Sequence, residues 1–299
     1  MQAPQPLNPD LADRDAWSHY WAGVPPASGG CLPGLPRPAA AALESLWATF
    51  FLALPPGARV LDLGTGAGAV PRFASTLRQD LKLLGVDYVK DLTLEVPNLE
   101  YVGGVAMEAL PFADAQFDAV TSQFSIEYAR DPAPSELLRV LKPDATWMVV
   151  AHHSRSVILE QNRRRLAALD ELCGAGGLLE AAGDLADRPD VPVAEARQAL
   201  LPLIGTLQQR HVGQGIVADA AGFVLGVLGQ APAKDELRRV QAEMGMEQLR
   251  LRALLRAALD DAAVQALATK LSRSGHPVLV DAVPAPGTAL PLAWHLRTS

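Results

Sequence analysis

The sequence predicts an α/β fold: a doubly wound, mostly parallel sheet of seven strands. Three observations carry the prediction. The apolar run Val60–Leu61–Asp62–Leu63 is followed by glycines at alternate positions, Gly64, Gly66 and Gly68, and then by a helix-forming stretch from Ala69 to Leu77. A second run, Leu83–Leu84–Gly85–Val86–Asp87, again ends in a carboxylate. Short, continuous apolar runs then alternate with helical stretches, the mark of strands covered on both faces. Glycines after a first strand let the backbone bend sharply and let a ligand approach where a side chain would collide. An acid closing the second strand can accept hydrogen bonds from both hydroxyls of a ribose.

Each element follows in order. Asp10–Ala22 reads as a helix carrying Trp17, His19, Tyr20 and Trp21, and Gly23–Pro38 as an irregular Pro/Gly-rich loop, so that residues 1–40 form an N-terminal helix and flap. The aromatics either close over a ligand, with Tyr20 the expected contact through its hydroxyl, or pack the helix on the sheet edge. A helix over Ala39–Leu54 is ended by Pro55–Pro56–Gly57. The core then alternates: strand Arg59–Leu63, helix, strand Leu81–Asp87, strand Leu99–Val102, strand Phe117–Ser122, helix Pro134–Leu141, strand Thr146–His152. From Arg155 to Ser274 the patterning is helical only, with candidates Arg155–Leu172, Val193–His211, Ile216–Leu228, Lys234–Met244 and Met246–Ser272. That stretch is neutral, with 15 basic and 15 acidic residues, so the acidic excess lies elsewhere. Strand patterning returns at Pro277–Val283 and Ala289–Leu296.

The spacing Asp62-x-Gly64-x-Gly66-x-Gly68 resembles motif I of the class I S-adenosylmethionine (SAM) dependent methyltransferases. Further pieces follow in order: Ala106–Met107–Glu108–Ala109–Leu110–Pro111–Phe112, Phe117–Asp118–Ala119–Val120, and Arg139–Val140–Leu141–Lys142–Pro143 before an apolar strand. Together they look like the type 11 methyltransferase domain, over roughly a third of the chain, Val60 to Ala151. The resemblance implies a seven-stranded sheet whose terminal strand runs antiparallel. It also implies that residues 41–154 and 275–299 form the SAM-binding core. Residues 155–274 are then a helical insertion between the fifth and sixth strands, serving as a substrate lid, a dimerisation arm of a homodimer, or both.

The resemblance further implies SAM as cofactor and S-adenosylhomocysteine (SAH) as product. Asp62 would pair with the amino group of the methionine moiety, directly or through water. The backbone of Gly64, Thr65, Gly66 and Gly68 would face the cofactor and Asp87 would take the ribose; if the N-terminal aromatics close over that site, Tyr20 is the expected contact. Ser122 and Gln123 would lie near the methionine and the transferable methyl. The family often has Asp where Ala106 stands; here Glu108 or Met107 would have to hold the adenine.

Methyl transfer from a sulfonium needs alignment, exclusion of water and, for some acceptors, a base. The candidate bases are Glu127, His152 and His153; the alternatives are a surface carboxylate paired with Arg130 and histidines that cap a strand. The Asn/Asp-Pro-Pro-Tyr/Phe sequence of many amino-methylating enzymes is missing, Ser122–Gln123–Phe124–Ser125 standing there instead. No cluster of His, Asp and Glu suggests the metal site of catechol-type enzymes. The expectation is a metal-independent enzyme acting at oxygen, nitrogen or carbon of a small or medium-sized acceptor.

A formal charge of −7 and a pI near 5.4 argue against binding driven by nucleic-acid or anionic-membrane charge. Cys31 and Cys173 give neither metal spacing nor a disulfide framework. No secretory leader is visible, and Ile216–Leu228 is too short to span a bilayer, so a cytoplasmic location is expected. Two other classes fit parts of the sequence. One is a SAM- or SAH-binding sensor or scaffold without catalysis. The other is a nicotinamide-dependent oxidoreductase, because Gly64-x-Gly66-x-x-Ala69 also fits a looser dinucleotide pattern.

Overall fold

Seven strands form a single sheet in the order β3-β2-β1-β4-β5-β7-β6 in the computed structural model, which describes residues 9–24, 35–92, 94–188, 190–230, 232–273 and 277–298. The strands are β1 (Arg59–Leu63), β2 (Lys82–Asp87), β3 (Leu99–Gly103), β4 (Phe117–Gln123), β5 (Leu141–Ala151), β6 (Val278–Pro284) and β7 (Pro291–Thr298). The first five pair in parallel, and β7 runs antiparallel to both β5 and β6. From β1 the chain builds outward through β2 and β3, then returns to β4 on the other side of β1. That reversal makes a crevice beyond the carboxyl ends of β1 and β4, where ligands of such sheets bind.

Each face of the sheet is covered as its apolar runs require. On one face, α2 (Arg37–Ala53) packs Leu43, Trp47 and Phe51, and α3 (Ala69–Leu77) packs Val70 and Ala74, against Val60, Leu83, Ala119 and Val150. Spacing of four residues along α2 puts its three large side chains on one stripe. Burying each contributes roughly 1.5–3 kcal/mol. On the other face, α4 (Ala133–Val140) and α10 (Asp261–Lys270) lay Leu137, Val140, Val264 and Ala268 over Leu61, Leu63, Val120, Trp147 and Leu296. The remaining helices are α1 (Pro9–Gly23), α5 (Val157–Cys173), α6 (Leu178–Ala186), α7 (Val193–Arg210), α8 (Gly215–Val227) and α9 (Ala233–Ala257).

The chain divides into two units, Met1–Leu159 with Leu254–Ser299, and Glu160–Ala253. The second unit is helical. It buries Leu169, Leu172, Leu178, Leu179 and Val224, and carries ion pairs Arg165–Glu247 at 2.8 Å and Arg252–Asp170 at 2.6 Å. Two expectations in this region are corrected. α9 runs unbroken through Gly245, and its break falls instead at residues 258–260, where the Asp260 carboxylate caps α10 by accepting the Ala263 N–H at 2.8 Å. α6 is absent from the sequence reading because Gly176 and Gly177 stand just before it and Gly183 within it. Most of the Gly23–Pro38 loop, with Cys31, lies outside the described residues. Among the described residues no helix is long and apolar enough to cross a membrane.

Candidate functional site

A cavity of about 440 Å³ opens at the crevice between β1 and β4, within the roughly 300–1,000 Å³ typical of small-molecule sites. Its floor is the turn after β1. Gly64, Gly66 and Gly68 all have positive φ, at 64°, 50° and 76°, a region that disfavours side chains. Space is as restrictive as the backbone. A Cβ on Gly64 would lie 2.4 Å from the Ser125 Cβ, and one on Gly66 2.5 Å from Cζ2 of Trp21. Gly64, Thr65 and Gly66 line the cavity. Gly68 is not among the lining residues; it begins α3, and a Cβ there would meet Val96 at 2.9 Å.

Two buried carboxylates face this cavity. Asp62, next to last in β1, accepts a hydrogen bond from the Thr121 hydroxyl of the neighbouring β4 at 2.6 Å. Burial pushes its pKa up to about 7; the hydrogen bond from Thr121 opposes the rise and the charge of Asp87 adds to it. Asp87 closes β2. One of its oxygens accepts the Gly66 N–H at 2.8 Å and the other the Val89 N–H at 2.9 Å, so this side chain ties the glycine turn to β2. Burial raises its pKa as well, against those backbone hydrogen bonds. Two desolvated carboxylates at one cavity wall make a site whose charge is satisfied best by a cation.

The loop after β3 brings Val105, Ala106, Met107 and Glu108 to the cavity, and Glu108 accepts the Arg130 N–H at 2.8 Å. The end of β4 contributes Gln123, and the loop after it Phe124, Ser125, Tyr128, Arg130 and Asp131. Ser122 is fully buried; its hydroxyl lies 2.7 Å from that of Ser125, which donates to the Leu63 carbonyl at 2.7 Å. α1 supplies Trp17 and Trp21, with Trp17 edge-on to Tyr128 at 5.5 Å. Tyr20 is not among the lining residues. It packs edge-to-face against Trp17 and Trp21, at 5.7 and 5.0 Å, behind the two rings that are.

None of the three candidate bases lines the cavity. His153 is buried, stacked on Trp294 at 4.2 Å, and its Nδ1 accepts the Arg155 N–H at 3.0 Å; burial lowers its pKa. His152 is buried and stacks on the cavity residue Phe124 at 4.4 Å. Glu127 sits in a short 3₁₀ turn, Ile126–Tyr128, and one carboxyl oxygen accepts the His152 N–H at 2.8 Å. Its other oxygen is buried with no partner among the described residues, and burial pushes the pKa up to about 7. The surface pair with Arg130 is not what the structure holds. Among the described residues no group of three or more His, Cys, Asp or Glu is placed to hold a metal.

Residues 61–149 match the Methyltransferase domain family. The ubiquinone/menaquinone biosynthesis C-methyltransferase UbiE of Geobacter sulfurreducens is 30% identical over 174 residues, which cover 53% of this chain and 68% of that protein. The chain belongs to the class I SAM-dependent methyltransferases. A demethylmenaquinone methyltransferase of Renibacterium salmoninarum is 35% identical over 125 residues, covering 38% of this methyltransferase and 52% of that one. The crystal structure of a SAM dependent methyltransferase from Aquifex aeolicus matches at 24% identity and a TM-score of 0.34, over 40% of this chain and 70% of that one. The sheet order above, rather than that overlap, establishes the fold. The methyl donor of this methyltransferase is therefore SAM, and the nicotinamide-dependent alternative falls with the assignment.

Sequence reasoning named Trp17 and Trp21 among the aromatics that could close over a ligand but put the contact at Tyr20, and it missed Tyr128, Arg130 and Asp131 as lining residues. For α1 a signal existed: Trp17 and Trp21 are four residues apart and share a helix face, whereas Tyr20 was favoured for its hydroxyl. The residues after β4 carry no such signal, because an irregular loop has no period.

Proposed function

We propose that this methyltransferase binds SAM in the cavity beyond β1 and β4 and methylates a small or medium-sized, largely apolar acceptor. The observation that carries the reading is the pair of desolvated carboxylates, Asp62 and Asp87, on either side of a glycine turn too tight for any side chain. They fit the ligand: Asp62 is placed for an ammonium, and each Asp87 oxygen keeps lone-pair capacity for a ribose hydroxyl beyond the backbone N–H it accepts. Met107 and Glu108 would hold the adenine in place of the acid that Ala106 replaces. When bound, SAM supplies an electrophilic methyl on a positive sulfur.

What the chain's own residues supply is alignment and dryness. Trp17, Trp21, Phe124, Tyr128 and Met107 make an apolar, aromatic wall that excludes water and lets an acceptor ring or chain slide in. By their names, one relative above is a C-methyltransferase of ubiquinone/menaquinone biosynthesis and another a demethylmenaquinone methyltransferase, so carbon of an electron-rich ring heads the acceptors to be tried. Of the three candidate bases we retain Glu127. Its carboxyl titrates near neutrality and it neighbours the lining residue Tyr128, whereas His153 is engaged by Trp294 and Arg155. Of the expected insertion, α10 instead covers the sheet; for the second unit, residues 160–253, both roles, substrate lid and dimerisation arm, stand as proposals, and light scattering on the full chain decides the second.

The test is SAH release from SAM with a panel of hydroquinone, phenol, amine and carboxylate acceptors. Turnover with the ring acceptors and little with the charged ones is expected. Turnover confined to charged or macromolecular acceptors contradicts the acceptor class.

A further inference from the structure

Gln123 ends β4 with its side chain at the cavity, and its amide is held in one orientation from behind. The indole N–H of Trp47, on α2, donates to Gln123 Oε1 at 2.7 Å. An indole nitrogen donates and never accepts, so the atom facing it must be the carbonyl oxygen. The NH₂ of Gln123 is thereby turned the other way. It has no hydrogen-bond partner among the described residues and is not among the buried, unsatisfied atoms, so it is presented to open space. Trp47 itself is buried in the core and stacked on Phe51 at 5.8 Å, which fixes the indole before any ligand arrives.

The neighbourhood says what such a donor would meet. Gln123 and Thr121 are alternate residues of β4 and so share one face of the sheet. Thr121 bonds Asp62, the acid placed for an ammonium. One strand end thus offers a negative group and, two residues further along the same face, a fixed pair of N–H donors. That pairing complements an α-amino acid, whose ammonium and carboxylate share one carbon.

We infer that Trp47 orients the Gln123 amide as a hydrogen-bond donor to the α-carboxylate of the cofactor's amino-acid part. Trp47 is a positioning residue and Gln123 a binding residue. The inference rests on the SAM site proposed above. An oxygen of the acceptor substrate has the same chemistry, and the experiment separates the two sources.

The experiment is calorimetric titration of wild type, Gln123→Glu and Trp47→Phe with SAH and with 5′-methylthioadenosine, which shares the thioether-linked adenosine but lacks the amino acid. Gln123→Glu keeps an oxygen for the Trp47 N–H and changes only the cavity-facing atoms from donor to carboxylate. It is expected to weaken SAH by tenfold or more while leaving methylthioadenosine within about twofold. Trp47→Phe releases the amide and is expected to weaken SAH by about threefold, again without effect on methylthioadenosine. Equal weakening of both ligands means a merely structural role and overturns the inference. Unchanged SAH affinity in Gln123→Glu also overturns it, and points the amide at the acceptor instead. Wild-type protein that binds neither ligand would refute the SAM site itself, an outcome distinct from the other two.

Discussion

If Asp62 holds the cofactor's ammonium, binding must follow its ionisation. Its pKa near 7 in the ligand-free protein means that about one molecule in eleven carries the charge at pH 6 and about three in four at pH 7.5. Over that window an α-ammonium stays largely protonated, so SAH affinity should rise about eightfold. Folding stability runs the opposite way. The folded pKa lies above the ordinary 3.8, so the stabilisation is fully present below about pH 4 and is lost as pH rises through about 7, up to about 4 kcal/mol. Bound ligand restores it. Titration calorimetry with SAH at half-unit steps from pH 6 to 7.5, beside thermal melts of the free protein, reads both. Asp62→Asn should bind SAH at least tenfold more weakly at pH 7.5, with a shallower pH slope, and should melt higher than wild type without ligand. A flat wild-type profile, or an Asp62→Asn protein that keeps the full slope, refutes the reasoning.

Other consequences are simpler to state. Asp87→Ala removes both the expected ribose acceptor and the anchor of the Gly66 N–H, so SAH affinity should fall by roughly tenfold or more; unchanged affinity would remove Asp87 from the site. Glu127→Gln keeps an acceptor for the His152 N–H and abolishes a buried ionisation, so at pH 8 it should raise the melting temperature by an amount equivalent to about 3 kcal/mol or less, with no gain at pH 4. If Glu127 is also the base, the same variant loses turnover without losing SAH affinity. Gly66→Ala combines a positive φ with a clash against Trp21 and should cost about 1–2 kcal/mol in thermal or denaturant unfolding. Trp21→Ala should weaken SAH more than Tyr20→Ala, because Trp21 lines the cavity and Tyr20 stands behind it.

The sheet was legible because its signals are local. Val60–Leu63 and Leu83–Asp87 are short apolar runs with a carboxylate at the end, and the glycines between them leave few other readings. The two acids were found by the same logic, since a strand end in a doubly wound sheet is where ligands sit. What escaped needs three dimensions. Nothing in the sequence joins Trp47 to Gln123, 76 residues away, or places Glu127 under the His152 backbone rather than at the surface. The α9 boundary escaped for a different reason. A glycine costs a helix about 1 kcal/mol, and packing of Leu251 and Leu254 on the same helix outweighs that cost. At Asp260 the cap was present in the sequence, but Gly245 looked like the stronger break.

The central claim is that the paired carboxylates and glycine turn form an adenosyl site. Parallel calorimetric titration of the purified full chain with SAM, SAH and NAD tests it most directly. The account predicts micromolar binding of SAM and SAH and no heat with NAD. Binding of NAD, or no binding of either adenosyl ligand at pH 7.5, would contradict it.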